Sequence, residues 1–359
     1  MFNPSRLRVA RKRCKLNKTR LAELIGVDPR SVSAYERGEY EPSAETLAEL
    51  TRVLKFPAGF FAAADLHEPS AITASFRSMA RMSASNREAA LAVGALAIDL
   101  DNWIGDRFTL PTSNLPDLTG EDPETAAMTM RQHWGLGERP IRNMIHLLES
   151  MGIRIFSMVE DTTEVDAFSY WHDARPFIFL NTLKSAERGR FDAGHELGHL
   201  VLHRHGGPQG KEAESEANRF ASAFLMPRAS ILGRVPAIPS LGALVSLKQH
   251  WIVSVVALAY RLHVLGVLTD WHYRALCVEM AQLGYRAGEP AGAPREMSMI
   301  LPKILSALRA EGMTKFDLAA EMQIDAEELD KLVFGLILVS LGGGSISTTR
   351  SARSLHLVK

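Results

Sequence analysis

His195-Glu196-Leu197-Gly198-His199 sets two imidazoles four residues apart, with a carboxylate beside the first. On a helix, positions four apart share a face, so both rings can bind one metal ion. Glu196 then reaches the coordination position left open, where it serves as general base toward a water. This is zinc-hydrolase chemistry: the ion activates water and polarises a scissile carbonyl, and Glu196 carries the proton on to the leaving amine. Mn2+ and iron tolerate the same donors as Zn2+. A catalytic zinc takes three protein ligands, so a third is due from a nearby element. The following helix offers Glu212, Glu214 and Glu216. Glu214 is preferred, because Asn218 lies one turn later on its face with Ala217 and Ala221 as small neighbours. Glu216 sits about 200° around that helix from Glu214, so the two cannot face one ion. Asn218 and His203 are candidates for orienting the ligands. His203 and His205 are also placed to steady an oxyanion.

These residues need a helix resting on a core. Ala193, Leu197, Leu200 and Val201 form one apolar face; Asp192, His195, Glu196, His199 and His203 gather opposite. Gly198 lets a second segment pass close to the motif. Helices are expected near 185–204 and 211–225. Short β-branched and aromatic runs before them, at 153–156, 165–171 and 176–180, read as strands. Helical patterns occupy 122–134 and 140–151, a long amphipathic helix 86–108, and helices again from 236 to about 338.

A second constellation lies at the N-terminus. The first 22 residues hold eight Lys and Arg and no acid. Asn17 can cap a helix carrying Leu21, Ala22, Leu24 and Ile25, closed by Gly26. Asp28-Pro29 is an N-cap followed by proline at the first helical position, and Gly38 ends the short helix that follows. A helix, a tight turn and a second helix make a DNA-reading unit. Arg30, Ser31, Ser33 and Ala34 are the candidates for base edges, with Arg30 suited to guanine. Lys18, Arg13 and Arg37 are placed on phosphates; Val32 and Tyr35 are packing residues. Double-stranded DNA is the expected partner, read by a homodimer over two half-sites.

The totals agree with this division. The chain has 359 residues and no net charge, yet residues 1–60 carry 12 basic and 7 acidic side chains. A basic end on a neutral chain suits nucleic acid. Two cysteines, Cys14 and Cys277, make no disulfide framework. Met1–Lys15 lacks a signal peptide's apolar stretch, and Trp251–Tyr260 is too short to span a bilayer. A cytoplasmic protein without membrane attachment is expected. The Gly/Ser/Thr-rich tail, 341–359, is expected to be flexible. One internal echo stands out: Leu21-Ala22 then Val27-Asp28 recurs as Leu318-Ala319 then Ile324-Asp325, at one offset and in an acidic setting. A degenerate second helix-turn-helix and a coincidence explain it equally well.

Residues 5–62, with Leu21-Ala22-Glu23-Leu24-Ile25-Gly26-Val27 and Ser33-Ala34-Tyr35-Glu36-Arg37-Gly38, resemble the phage-repressor (Cro/C1, or XRE) helix-turn-helix, although Lys18 stands where those domains commonly have Gln. Residues from about 150 to 230 resemble the ImmA/IrrE metallopeptidases, through Phe191–His203 and Glu214–Pro227. The resemblance implies a gluzincin-like zinc endopeptidase with His195, His199 and Glu214 as ligands and Glu196 as base, acting on a helix-turn-helix repressor or an antitoxin. The alternative is a transcription factor or antitoxin whose metal site is structural, sensory or inactive. The expected architecture is mainly α. It runs as a helix-turn-helix domain (1–65), a helical linker (66–120), a small α+β zincin-like peptidase domain (121–235), a helical C-terminal domain for dimerisation or sensing (236–340) and the tail.

Overall fold

A computed structural model describes residues 1–70, 75–76, 83–158, 166–204, 210–285 and 287–337. Val165, His205 and the 341–359 tail lie outside them. The chain opens with α1 (Pro4–Arg13), α2 (Lys18–Ile25), α3 (Pro29–Arg37) and α4 (Ala44–Leu54). A 3-10 turn (Ala58–Ala62), the strand β1 (Ser75–Phe76) and α5 (Ala84–Gly105) follow. Next come α6 (Pro123–His133), α7 (Met144–Ser150), β2 (Arg154–Ser157), β3 (Ala167–His172) and β4 (Arg175–Leu180). The helices α8 (Ala186–Leu202), α9 (Lys211–Leu225), α10 (Arg228–Leu232), α11 (Leu241–Trp251), α12 (Val255–Val264) and α13 (Asp270–Gln282) succeed them. Last are α14 (Ile300–Ala310), α15 (Lys315–Glu321) and α16 (Ala326–Val333). No single helix among the described residues is long and apolar enough to cross a membrane.

The elements form two compact units. The first joins residues 1–111 to 156–166 and 298–359. Its N-terminal helices are set by local signals. The Asn17 side chain accepts from the Arg20 N–H, Gly26 takes a left-handed φ of 70°, and Asp28 caps α3 ahead of Pro29. Leu7, Leu21, Ala22, Val32, Leu50 and Phe60 are fully buried between these helices. An ion pair sits among them: Arg11 Nε donates to Glu36 Oε1 at 2.6 Å. The expected amphipathic helix is α5, but every residue from Ala89 to Ile98 is buried, so it is apolar on all sides rather than on one.

The second unit joins residues 112–155 to 167–297. β3 and β4 form an antiparallel hairpin in register from Ala167 opposite Leu180 to His172 opposite Arg175. Phe168 and Phe179, directly opposite, stack with ring centroids 4.3 Å apart. β4 lies between β3 and β2. Two bonds tie β3 to α8: Trp171 Nε1 donates to Leu200 O at 3.1 Å and Ser169 Oγ to Glu196 O at 3.4 Å.

The stretch after α13 departs from the all-helical pattern expected beyond 236. Gly284, Gly288, Pro290, Gly292 and Pro294 break the helix, and residues 288–299 run as an irregular segment. This segment supplies acids to buried cations. Glu289 accepts from Lys248 Nζ at 3.1 Å. Glu296 pairs with Arg190 and accepts the Met144 N–H at the start of α7 at 2.8 Å.

Candidate functional site

α8 and α9 lie side by side. The approach is close where Gly198 faces Ala217 and Phe220: a Cβ there would stand 3.1 Å from Phe220 Cδ1 and 3.2 Å from Ala217 Cα. That is the room which the motif glycine provides, and it lets the first turn of α9 lean over the histidines. The apolar face of α8 is buried as expected, but so is its ionisable face. From Asp192 to Leu202 no residue is exposed. The two imidazoles sit in the interior, not along an amphipathic surface, and Glu214 is part-exposed at 24%.

There His195, His199 and Glu214 converge, each offering one ligand atom, all within 4.8 Å of one another. The two Nε2 atoms are 3.1 Å apart. Each is 3.3 Å from a Glu214 oxygen, Oε2 for His195 and Oε1 for His199. Donors at about 2.0–2.2 Å from a tetrahedral ion stand roughly 3.3–3.6 Å from one another, so this triangle fits zinc with slight expansion. Both rings present Nε2 to the centre because Nδ1 is engaged behind it. His195 Nδ1 is 3.2 Å from Asn218 Oδ1, and His199 Nδ1 is 2.9 Å from His203 Nδ1. Burial pushes the Glu214 carboxyl up, but hydrogen bonds from His195 and His199 outweigh it and hold the group down to about 2, ionised as a ligand must be. Glu196 is wholly buried beside His195.

One contributor escaped the sequence reading. Glu216, on the far side of α9 from Glu214, accepts from His203 Nε2 at 2.9 Å. It extends a chain from Glu216 through His203 to His199. Burial lowers the His203 pKa while the bond to Glu216 opposes it. The signal in the sequence was His203 itself, one turn beyond His199 on the motif face.

The candidate DNA-contact residues are spread, not gathered. Arg30 is exposed at the start of α3, with Ser31 and Ser33 half-buried behind it. Lys18 Nζ lies 3.1 Å from Glu36 Oε2, and Arg37 Nε donates to Glu39 at 2.6 Å. Two expectations need correction. Ala34 is 4% exposed and packs into the core with Val32 and Tyr35, so it cannot meet a base edge. Arg13, placed on phosphate by its charge, is 11% exposed and paired at 2.8 Å with Glu328.

Comparison with known proteins places both regions. Residues 7–61 match the family model of the helix-turn-helix domain, and residues 148–263 match that of the IrrE N-terminal-like domain of the M78 peptidases. No curated protein matches the chain.

Proposed function

We propose, for a chain that fuses a DNA-binding helix-turn-helix to an M78-type peptidase domain, that it is a transcriptional regulator whose metal-dependent endopeptidase cleaves a regulatory protein such as a repressor or antitoxin. The observation that carries this reading is the convergence of His195, His199 and Glu214 with Glu196 alongside. Two imidazoles and a carboxylate suit Zn2+, with Mn2+ as a substitute. When bound, the ion supplies a Lewis acid and makes water acidic enough to deprotonate near neutral pH. Glu196, buried beside His195, would serve as the general base, holding a proton from water and handing it to the leaving amine. Asn218 and the His203–Glu216 pair fix the two imidazoles, so Nε2 faces inward throughout. Arg30, Ser31 and Ser33 face DNA bases, and Lys18 and Arg37 its phosphates, in a homodimer that spans two half-sites.

The test expresses the chain with Zn2+ or Mn2+ beside helix-turn-helix repressors and antitoxins encoded at its own locus. Cleavage by wild type and none by Glu196→Gln is the expected result. Identical band patterns from both, for every partner, overturn the enzyme reading. A second reading is favoured by one observation: His195 and Glu196 are both 0% exposed. A metal held that deeply suits a structural or sensory ion in a transcription factor. Under it, Arg30→Ala abolishes regulation in cells and Glu196→Gln leaves it intact.

A further inference from the structure

The faint echo between Leu21-Ala22 and Leu318-Ala319 extends, at the same offset, over the whole of α14–α16. α1, α2 and α3 begin at residues 4, 18 and 29; their counterparts α14, α15 and α16 begin at 300, 315 and 326. Asn17 accepts from the Arg20 N–H to cap α2, and Thr314 accepts from the Asp317 N–H to cap α15. Asp28 and Asp325 hold the N-cap position of the third helix in each. All three left-handed residues recur: Lys15, Gly26 and Gly38 with φ of 56°, 70° and 72°, against Gly312, Gln323 and Gly335 with 81°, 55° and 70°. A residue other than glycine adopts that conformation only where the fold requires it. The turn bonds repeat as well. Leu16 N–H donates to Arg11 O and Val27 N–H to Ala22 O; Met313 N–H donates to Leu308 O and Ile324 N–H to Ala319 O. Core positions correspond, Leu7 to Ile304, Leu21 to Leu318, Val32 to Leu329 and Tyr35 to Leu332, all buried. The buried ionic pair Arg11 and Glu36 is replaced by Leu308 and Val333, also buried. Helix order, left-handed turns and core positions agree, and only the middle helix keeps its side-chain cap bond in both, so the second copy has the fold of the first.

Its charge is the reverse. Residues 4–38 carry ten basic and three acidic side chains; 301–335 carry four and seven. At the positions of Arg30, Ser31 and Ser33 stand Glu327, Glu328 and Asp330, and Phe334 replaces Arg37. Of the five DNA-contact candidates only Lys18 keeps its charge, as Lys315, and this is paired with Asp330 at 2.7 Å. A surface of this sign repels phosphate. One of its acids, Glu328, faces the first copy instead. Glu328 Oε2 accepts from Arg13 Nε at 2.8 Å, with both side chains largely buried at 11% and 13% exposure. Gln323 lies so close over Gly59 that a Cβ there would stand 1.6 Å from Gln323 Oε1. On α15, Glu321 accepts from Trp103 Nε1 at 2.9 Å and from Arg107 at 2.6 Å, which anchors the module to α5.

We propose that α14–α16 are a second helix-turn-helix that reads no DNA, and that its acidic third helix is an interaction surface for the basic first helix of the DNA-binding copy, withholding Arg13 from phosphate. The inference rests on the DNA-binding reading above. It is tested with the full chain and a duplex of about 20 base pairs, by fluorescence anisotropy across a salt series. Glu328→Gln takes the carboxylate away from Arg13 and lets its guanidinium add one phosphate contact, which steepens the log-affinity against log-salt slope by about 0.9 and raises affinity about five- to tenfold near 0.1 M salt. Adding Arg13→Gln to Glu328→Gln removes that gain. Glu327→Gln, at an exposed acid one position earlier, leaves affinity within about twofold of wild type. Equal binding by wild type and Glu328→Gln overturns the clasp and leaves DNA binding standing. An equal rise in Glu327→Gln also overturns it, since general charge then explains the effect. If neither wild type nor Glu328→Gln binds any duplex, the DNA-binding reading falls and the clasp falls with it. Unchanged circular dichroism and melting temperature in Glu328→Gln show that the fold is kept.

Discussion

His195 and Glu196 have no exposed surface, whereas Arg30 stands in solvent at the tip of α3. The candidate metal site takes its geometry from close packing. Gly198 brings α9 against α8, β3 hydrogen-bonds to the α8 backbone, and each imidazole has a partner behind it. The third helix, α3, takes its geometry from two caps and a proline, and of the cations around it Lys18 and Arg37 rest on acids of the same unit. The difference follows from what each region must do. An ion site demands donor positions within a few tenths of an ångström, which only a packed interior holds. A phosphate contact tolerates mobile side chains, and the acids that hold them keep the surface from binding every polyanion at full strength.

The largest effect expected is at the base. Glu196→Gln lowers proteolysis by about 10^2- to 10^4-fold, measured on a cleaved substrate, while zinc content by elemental analysis is unchanged. A loss of zinc along with activity would mean that the centre is less rigid than its packing implies. Next comes support for the ligands. Glu216→Gln and Asn218→Ala each weaken zinc by about 10- to 100-fold, read by competition with a chromophoric chelator. If both leave the affinity intact, packing alone fixes the imidazoles and the contrast with the DNA face becomes sharper still.

Much of both regions was legible in the sequence because the deciding contacts are local. The span Lys211–Leu225 of α9 and the caps Asn17, Asp28, Gly26 and Gly38 each depend on neighbours within one turn. The convergence of Glu214 on His195 and His199 rested on the face arithmetic of two successive helices. What escaped was non-local. α5 carries apolar residues on all sides, and only tertiary packing decides which of them are covered. The Gly- and Pro-rich segment near 288–299 looks like a mere connector until Glu289 and Glu296 are seen on Lys248 and Arg190. Arg13 finds Glu328 across 315 residues, so no reading of charge near the N-terminus could have withdrawn it from the phosphates.

The smaller predictions probe the exposed face. Arg30→Ala costs about tenfold in affinity at the cognate site and relaxes preference at one base pair, as the loss of a guanine contact would. Arg37→Ala has a milder effect, about twofold and uniform across sequences, because the wild-type guanidinium must first leave Glu39 before it reaches a phosphate. Glu39→Gln removes that competitor and shifts affinity the other way by a similar factor. Anisotropy titrations against a cognate and a scrambled duplex at two salt concentrations separate these cases. Arg30 changes the ratio between the duplexes, and Arg37 and Glu39 move both together with the salt slope. Were Arg37→Ala to alter the ratio instead, α3 would be held as firmly at its end as at its start, and the contrast with the metal centre would lose its exposed half.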